Sequence, residues 1–150
     1  MIQLGYIIGG SMAYYTDEKV YPSEFMLMVI NGIKDKKQNF DVDGFVMGFE
    51  EAKEDRLVDS EKEQMAAIFR RGSQDVLDSI NSLDGCGYID RHMDDHGTLF
   101  FTINEESFEN GQEKINELKQ TIDENVVSYA SRIAETLGYI DGIIYTPVQG

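Results

Sequence analysis

Cysteine and proline are scarce in this sequence, and each shortage excludes a class of protein. One cysteine, Cys86, stands among 150 residues, so no disulfide can form within the chain. This suits a reducing, cytoplasmic compartment. There are only two prolines, and no Pro-rich or Gly/Ser-rich linker divides the chain. With 41% hydrophobic residues, we expect one folded domain over residues 1–150 with its own buried core.

The first residues show no sequence pattern of a targeting signal or a membrane-spanning segment. The opening residues, MIQLGYIIGGSMAYY, lack a basic n-region, and their apolar run is short and interrupted by glycine. We therefore expect neither a signal peptide nor a membrane span there, and no membrane partner.

Basic residues are few, and this is the strongest compositional signal. The chain has 13 basic and 28 acidic residues, for a net charge of −15. The excess lies in residues 41–63 (nine acids, three bases), 75–95 (six acids, one base) and 105–124 (seven acids, two bases), whereas residues 1–40 are neutral. Such a surface repels nucleic acid and anionic membranes and attracts basic protein surfaces. For any single acidic run, a solvated surface is the plainer interpretation.

Apolar periodicity predicts an α+β fold: a small antiparallel sheet of three to four strands packed with about four helices. The strands are expected at residues 2–8, 87–94, 98–103 and 139–146, and the helices near 22–37, 43–55, 60–83 and 105–137. Residues 2–15 can be interpreted as a strand or as a short helix, because three glycines weaken both assignments.

The last predicted helix, over about 105–137, is the longest element. At 1.5 Å per residue it would measure about 45 Å, the full width of a domain of this size. An apolar stripe at three- and four-residue steps follows it, which allows a second subunit to pack along the helix as a homodimer. The stripe fits an intrachain core equally well. The residues predicted for an oligomer interface are Ile115, Leu118, Ile122 and Val126.

Both histidines, His92 and His96, lie four residues apart among aspartates in DRHMDDHG. On a helix they would be about 6 Å apart and able to share a metal ion, whereas in a strand they would be about 13 Å apart. The flanking segments are rich in β-forming residues, and DDHG is typical of a turn. The sequence thus favours a β-hairpin over 87–103. We predict no metal and no cofactor, with His92 and His96 as the alternative metal site.

Other chemistry has little support in the sequence. Cys86 could act as a nucleophile, but a small buried cysteine is the commoner case. GYIIGGS lacks the lysine and spacing of a phosphate-binding loop, and no G-x-S-x-G elbow occurs. The basic clusters are more typical of ion-pair partners for acidic helices than of a nucleic-acid site; they comprise Lys34, Lys36, Lys37, Arg70 and Arg71. No catalytic residue is predicted.

Residues 41–69 resemble one known segment. The D-x-x-x-F-x-x-G core formed by Asp41, Phe45 and Gly48, followed by an acidic helix, is similar to the N-terminal dimerisation segment of Mip-class FKBP-type prolyl isomerases. The isomerase domain has no counterpart in residues 84–150. The resemblance covers about a fifth of the chain and implies, at most, dimerisation through helices.

Three functional classes fit these features. The first is a non-enzymatic inhibitor whose acidic surface blocks a basic, nucleic-acid-handling protein, as in phage anti-defence proteins, toxin-immunity proteins and DNA mimics; it would not bind nucleic acid directly. The second is a dimeric adaptor or assembly module, and the third a metal-binding or hydrolytic protein at the histidines. We favour the first. Its predicted partner-binding residues are Glu50, Glu51, Glu54, Asp55, Asp59, Asp94, Asp95, Glu113 and Glu117.

Overall fold

The computed structural model describes residues 20–33 and 39–147, and within them it confirms an α+β fold. The helices are α1 (Pro22–Gly32), α2 (Val42–Arg56), α3 (Asp59–Ile68), α4 (Ser73–Gly85), α5 (Glu105–Leu118) and α6 (Glu124–Leu137). The strands are β1 (Asn39–Asp41), β2 (Asp90–Met93) and β3 (Leu99–Thr102), and a 3₁₀ helix covers Asp141–Ile143. The predicted strand at 2–8 and the predicted helical residues 34–37 lie outside the described residues.

Helix α1 is the centre of the core. Residues 25–31 are all buried, because α4, α5 and α6 pack around them. A helix that is apolar on every side is stable only when other elements surround it, which explains this position. Pro22 begins the helix, and the Glu24 carboxylate accepts a hydrogen bond from the Tyr21 amide at 3.0 Å. Phe25 makes edge contacts with two further rings, Phe49 and Phe69.

The sheet has the order β1–β3–β2, and both pairs are antiparallel. Its inner face is formed by Phe40 and Phe101, whose rings stack at 5.2 Å, and Phe45 of α2 contacts both. Strands β2 and β3 form the predicted hairpin. Gly97 in its turn has a φ of 82°, which glycine adopts without steric cost. The hairpin prediction is thus confirmed.

Two predicted helices are interrupted. The segment 60–83 forms α3 and α4, because Gly72 between them has a φ of 59°. The segment 105–137 is helical at both ends, as α5 and α6, but residues 119–123 form a turn, and the Asp123 carboxylate caps α6 by accepting from the Asn125 amide at 2.8 Å. Helices α5 and α6 have 14 residues each and span about 21 Å, so neither reaches the predicted length of about 45 Å.

The final predicted strand, 139–146, is also different. It contains the 3₁₀ helix and a single bridge, between Ile144 and Phe40 of β1, while the Tyr145 amide donates to the Asn39 carbonyl at 2.8 Å. The chain therefore touches the sheet edge without forming a full strand. Strand β1, which the sequence did not predict, occupies the sheet position beside β3.

Candidate partner-binding surface

The exposed side of α2 and the start of α3 carry one group of the predicted acids. Side chains three and four residues apart lie on one face of a helix, so Glu51, Glu54 and Asp55 project together. Asp59 follows in the first turn of α3, where a negative charge also complements the helix dipole. All four are exposed, whereas Glu50 is partly buried. We call Glu51, Glu54, Asp55 and Asp59 the α2 face.

Two acids of this region have basic partners. Lys53 lies 2.9 Å from the Glu50 carboxylate, and Lys62 lies 3.3 Å from that of Glu54. The carboxylates of the other three members of the α2 face form no ion pair or hydrogen bond with any described residue. Their charge is therefore available to a partner.

Helix α5 presents a second acidic surface, which we call the α5 ridge: Glu106, Glu109, Glu113 and Glu117. The steps of three, four and four residues align them along one side, and all are exposed. Lys114 approaches only Glu117, at 3.9 Å. The partner-binding residues predicted from the sequence include Glu113 and Glu117 but not Glu106 and Glu109, although their spacing of three and four residues was the available signal.

An arginine clamp joins the end of α2 and the start of α3 to α6. Arg132 contacts both carboxylate oxygens of Glu61, at 2.9 and 3.2 Å, and donates to the carbonyl of Arg56. Arg56 in turn donates to the carbonyl of Arg132 and to Glu135. The Arg132 hydrogen bond lowers the pKa of Glu61. These contacts fix the end of α2 and the start of α3, so the nearby acids project from a rigid support.

The hairpin turn carries the third group of predicted acids, Asp94 and Asp95. Asp94 is partly buried, and its carboxylate accepts from the Thr98 and His96 amides, both at 2.9 Å, and from the Tyr145 hydroxyl at 2.8 Å. The Thr98 amide is the main reason that the pKa of Asp94 lies below its usual range. Asp94 is thus mainly structural, whereas Asp95 beside it is exposed and unpaired among the described residues.

The histidines belong to different parts of the hairpin. His92 lies in β2, with its ring stacked 5.1 Å from that of Phe100, and His96 is exposed in the turn. Over residues 20–33 and 39–147, no group of three or more histidine, cysteine or acidic side chains is placed to share a metal ion. The geometry provides no support for the alternative metal site.

The residues predicted for an oligomer interface are mostly part of the core of a single chain. Ile115, Leu118 and Ile122 are buried, and Val126 is partly buried. The turn after α5 lets α6 fold back onto α1, and these side chains pack inside the molecule. The apolar stripe is thereby explained without a second subunit, and dimerisation stays a prediction.

Cys86 departs from the interpretation of a small buried cysteine. Its side chain is exposed at the end of α4, where the helix gives way to the chain leading into β2. The predicted ion-pair role of the basic clusters is observed at Arg71, which contacts Asp75 and Asp78 at 2.9 and 2.7 Å.

No family model, curated protein or solved structure matches this chain. Within the described ranges, no helix is long and apolar enough to cross a bilayer.

Proposed function

We propose that this protein is a non-enzymatic inhibitor that occupies the basic surface of a partner protein, of the phage anti-defence or toxin-immunity type. The observation that carries the proposal is the set of exposed carboxylates without a basic partner in the described chain: Glu51, Asp55, Asp59, Glu109 and Glu113. A net charge of −15 raises the local concentration of cationic partners and speeds their association.

The spacing of charges on α5 supports a partner that normally handles nucleic acid. Five glutamates occur between residues 105 and 117, which span about 18 Å of helix, or one charge in about 4.5 Å. One strand of B-DNA carries one phosphate in about 3.4 Å. A basic groove that follows a phosphate backbone therefore finds a similar linear charge density on this helix. The residues are Glu105, Glu106, Glu109, Glu113 and Glu117.

Rigid support of the acidic side chains favours the binding of a basic partner. Acids on flexible segments lose conformational entropy when a partner binds, and this loss reduces affinity. The arginine clamp supports the helix ends that carry the α2 face, and α5 begins at a capping box in which the Asn104 side-chain oxygen Oδ1 accepts from the Ser107 amide at 2.8 Å. Both acidic surfaces are thus held in place before binding.

The proposal is tested by neutralising one surface at a time in the full-length chain. One variant carries Glu51→Gln with Asp55→Asn, and a second carries Glu109→Gln with Glu113→Gln. The matched control carries Glu124→Gln with Asp141→Asn, which remove the same charge from exposed positions outside both surfaces. The tagged wild-type protein first recovers its partner from host lysate at low salt, with elution by high salt and mass spectrometry.

Affinity of each variant for the recovered partner is then measured by calorimetry at several salt concentrations. We expect at least one test variant to bind between about two- and thirtyfold more weakly, with a shallower salt dependence, from about 0.2–1 kcal/mol for each exposed charge pair. The control should bind as the wild type does. Salt-independent binding, or equal weakening of all three variants, would contradict the proposal.

A further inference from the structure

The outer face of the sheet carries aromatic side chains that the core does not use. Successive residues of a strand point to opposite faces, so Phe101 of β3 enters the core and Phe100 lies on the other side. Directly paired residues share a face, and Phe100 is paired with His92 of β2 and Asp41 of β1. Phe100 is partly buried and His92 is exposed, so this face meets solvent.

Three rings form a continuous layer there, which we call the aromatic stack: His92, Phe100 and Tyr145. The rings of His92 and Phe100 lie 5.1 Å apart, and those of Phe100 and Tyr145 lie 4.0 Å apart at an interplanar angle of 10°. Tyr145 is anchored at both ends: its amide donates to the Asn39 carbonyl and its hydroxyl to the Asp94 carboxylate, each at 2.8 Å. The stack is therefore preorganised.

The charge around the aromatic stack is negative. Asp41 and Asp90 belong to the same sheet face, and Asp94 lies at its end, where the hydrogen bond from the Thr98 amide lowers its pKa. The neighbouring cation is directed elsewhere: Arg91 pairs with Phe101 on the opposite face, and its guanidinium donates to the Asn81 side chain at 2.6 Å. A cation on the outer face thus meets aromatic rings and carboxylates together.

We propose that the aromatic stack is the docking site for an arginine side chain on the basic partner. A guanidinium is planar, remains charged, and stacks on aromatic rings while it donates to carboxylates, whereas a lysine ammonium is a strongly hydrated point charge. A second copy of this chain is a poor occupant, because its corresponding face carries the same negative charge. The inference rests on the proposed function and specifies which side chain the partner supplies.

The test uses capped octa-arginine and octa-lysine peptides, each with a fluorescent label, and the full-length protein. Anisotropy titrations at one fixed, low salt concentration give both dissociation constants. If only the guanidinium stacks on the rings, an exposed cation–π contact of about 0.5–1 kcal/mol makes octa-arginine bind about two- to fivefold more tightly than octa-lysine for each ring engaged. Phe100→Leu and Tyr145→Leu should remove this preference and leave octa-lysine binding unchanged. Tyr139→Leu removes an exposed ring outside the aromatic stack and is the matched control, which should retain the preference.

A second readout covers the case in which a variant is poorly folded. Amide and ring resonances of the wild-type protein are followed by NMR during each titration. Octa-arginine should shift the resonances of His92, Phe100 and Tyr145 more than octa-lysine does. Equal shifts with both peptides would overturn the proposal.

The outcomes also separate this inference from the proposed function. Equal affinity for the two peptides, with weaker binding after neutralisation of the α2 face or the α5 ridge, would overturn arginine docking and leave the acidic-inhibitor proposal standing. Absence of binding by either peptide at low salt would overturn both.

Discussion

Substitution of Gly44 tests how closely α2 packs against the 3₁₀ helix at Asp141–Ile143. Gly44 lies in the first turn of α2, where its amide donates to the Asp41 carboxylate at 2.7 Å. A β-carbon at this position would overlap the carbonyl oxygen of Gly142 in the 3₁₀ helix. The overlapping atom belongs to the backbone, so no rotamer change can relieve the contact. Gly44→Ala must therefore push the 3₁₀ helix away from α2.

Overpacking usually lowers the free energy of unfolding by about 1–3 kcal/mol, and we expect Gly44→Ala to fall in the upper half of that range because the overlapping atom belongs to the backbone. The gain in helix propensity from Gly to Ala, up to about 1 kcal/mol, offsets only part of this loss. The displacement should also weaken the bridge between Phe40 and Ile144 and loosen Tyr145 above Phe100. The same substitution thus links stability to the aromatic stack.

Gly142→Ala is the matched control for this contact. A β-carbon on Gly142 meets no atom within 4 Å, although its carbonyl is the group that Gly44 approaches. Its free energy of unfolding should stay within about 0.5 kcal/mol of the wild type. Urea denaturation followed by circular dichroism measures both variants. If Gly44→Ala is as stable as Gly142→Ala, the close approach of α2 and the 3₁₀ helix is wrong.

Three further predictions concern the clamp, the turn and the histidines. Arg132→Ala should lower the free energy of unfolding by about 1–3 kcal/mol, as measured by urea denaturation, because it leaves the Glu61 carboxylate and the Arg56 carbonyl without their donor. Arg70→Ala, at an exposed site, should change the free energy of unfolding little. Equal losses in the two variants would refute the clamp. The folded-state pKa of Asp94 is lowered, so its stabilising contribution is complete above about pH 5, a unit above the ordinary aspartate pKa, and is lost as pH falls through the folded-state pKa. The stability difference between wild type and Asp94→Asn should accordingly shrink between pH 5 and pH 2, as measured by thermal denaturation; a constant difference would argue against it. Zinc and manganese should leave the melting temperature unchanged, and the double variant His92→Ala/His96→Ala should behave as the wild type does. A metal-dependent rise that this double variant abolishes would restore the alternative site.

The hairpin could be predicted because its information is local. The turn residues DDHG, including Gly97 with its positive φ, stand between two short β-forming segments, and no distant contact is needed to specify them. Strand β1 could not be predicted in the same way. It has three residues, and Phe40 pairs with Phe101, which is far away in the sequence.

The candidate surface was predicted only as a list of acids. Their spacing showed which ones share a helix face, as on the α2 face. Glu50 and Lys53 are three residues apart on α2, so helix spacing alone indicates their ion pair. The pair between Glu54 and Lys62 joins α2 to α3, and only the fold reveals it. The stack of Tyr145 on Phe100 had no sequence signal, since it joins a β3 residue to the chain end.

Composition alone determined the strong negative charge, because net charge is a sum over the residues. Local patterns determined the α+β class and the hairpin, because periodicity and turn residues lie close together in the chain. Tertiary structure decided where the helices are interrupted and which apolar side chains are internal. The apolar stripe through Ile115, Leu118 and Ile122 continues across the break between α5 and α6, so periodicity could not reveal the turn. Folding α6 back buries Ile133 and Leu137 in the core around α1, which a single straight helix could not do.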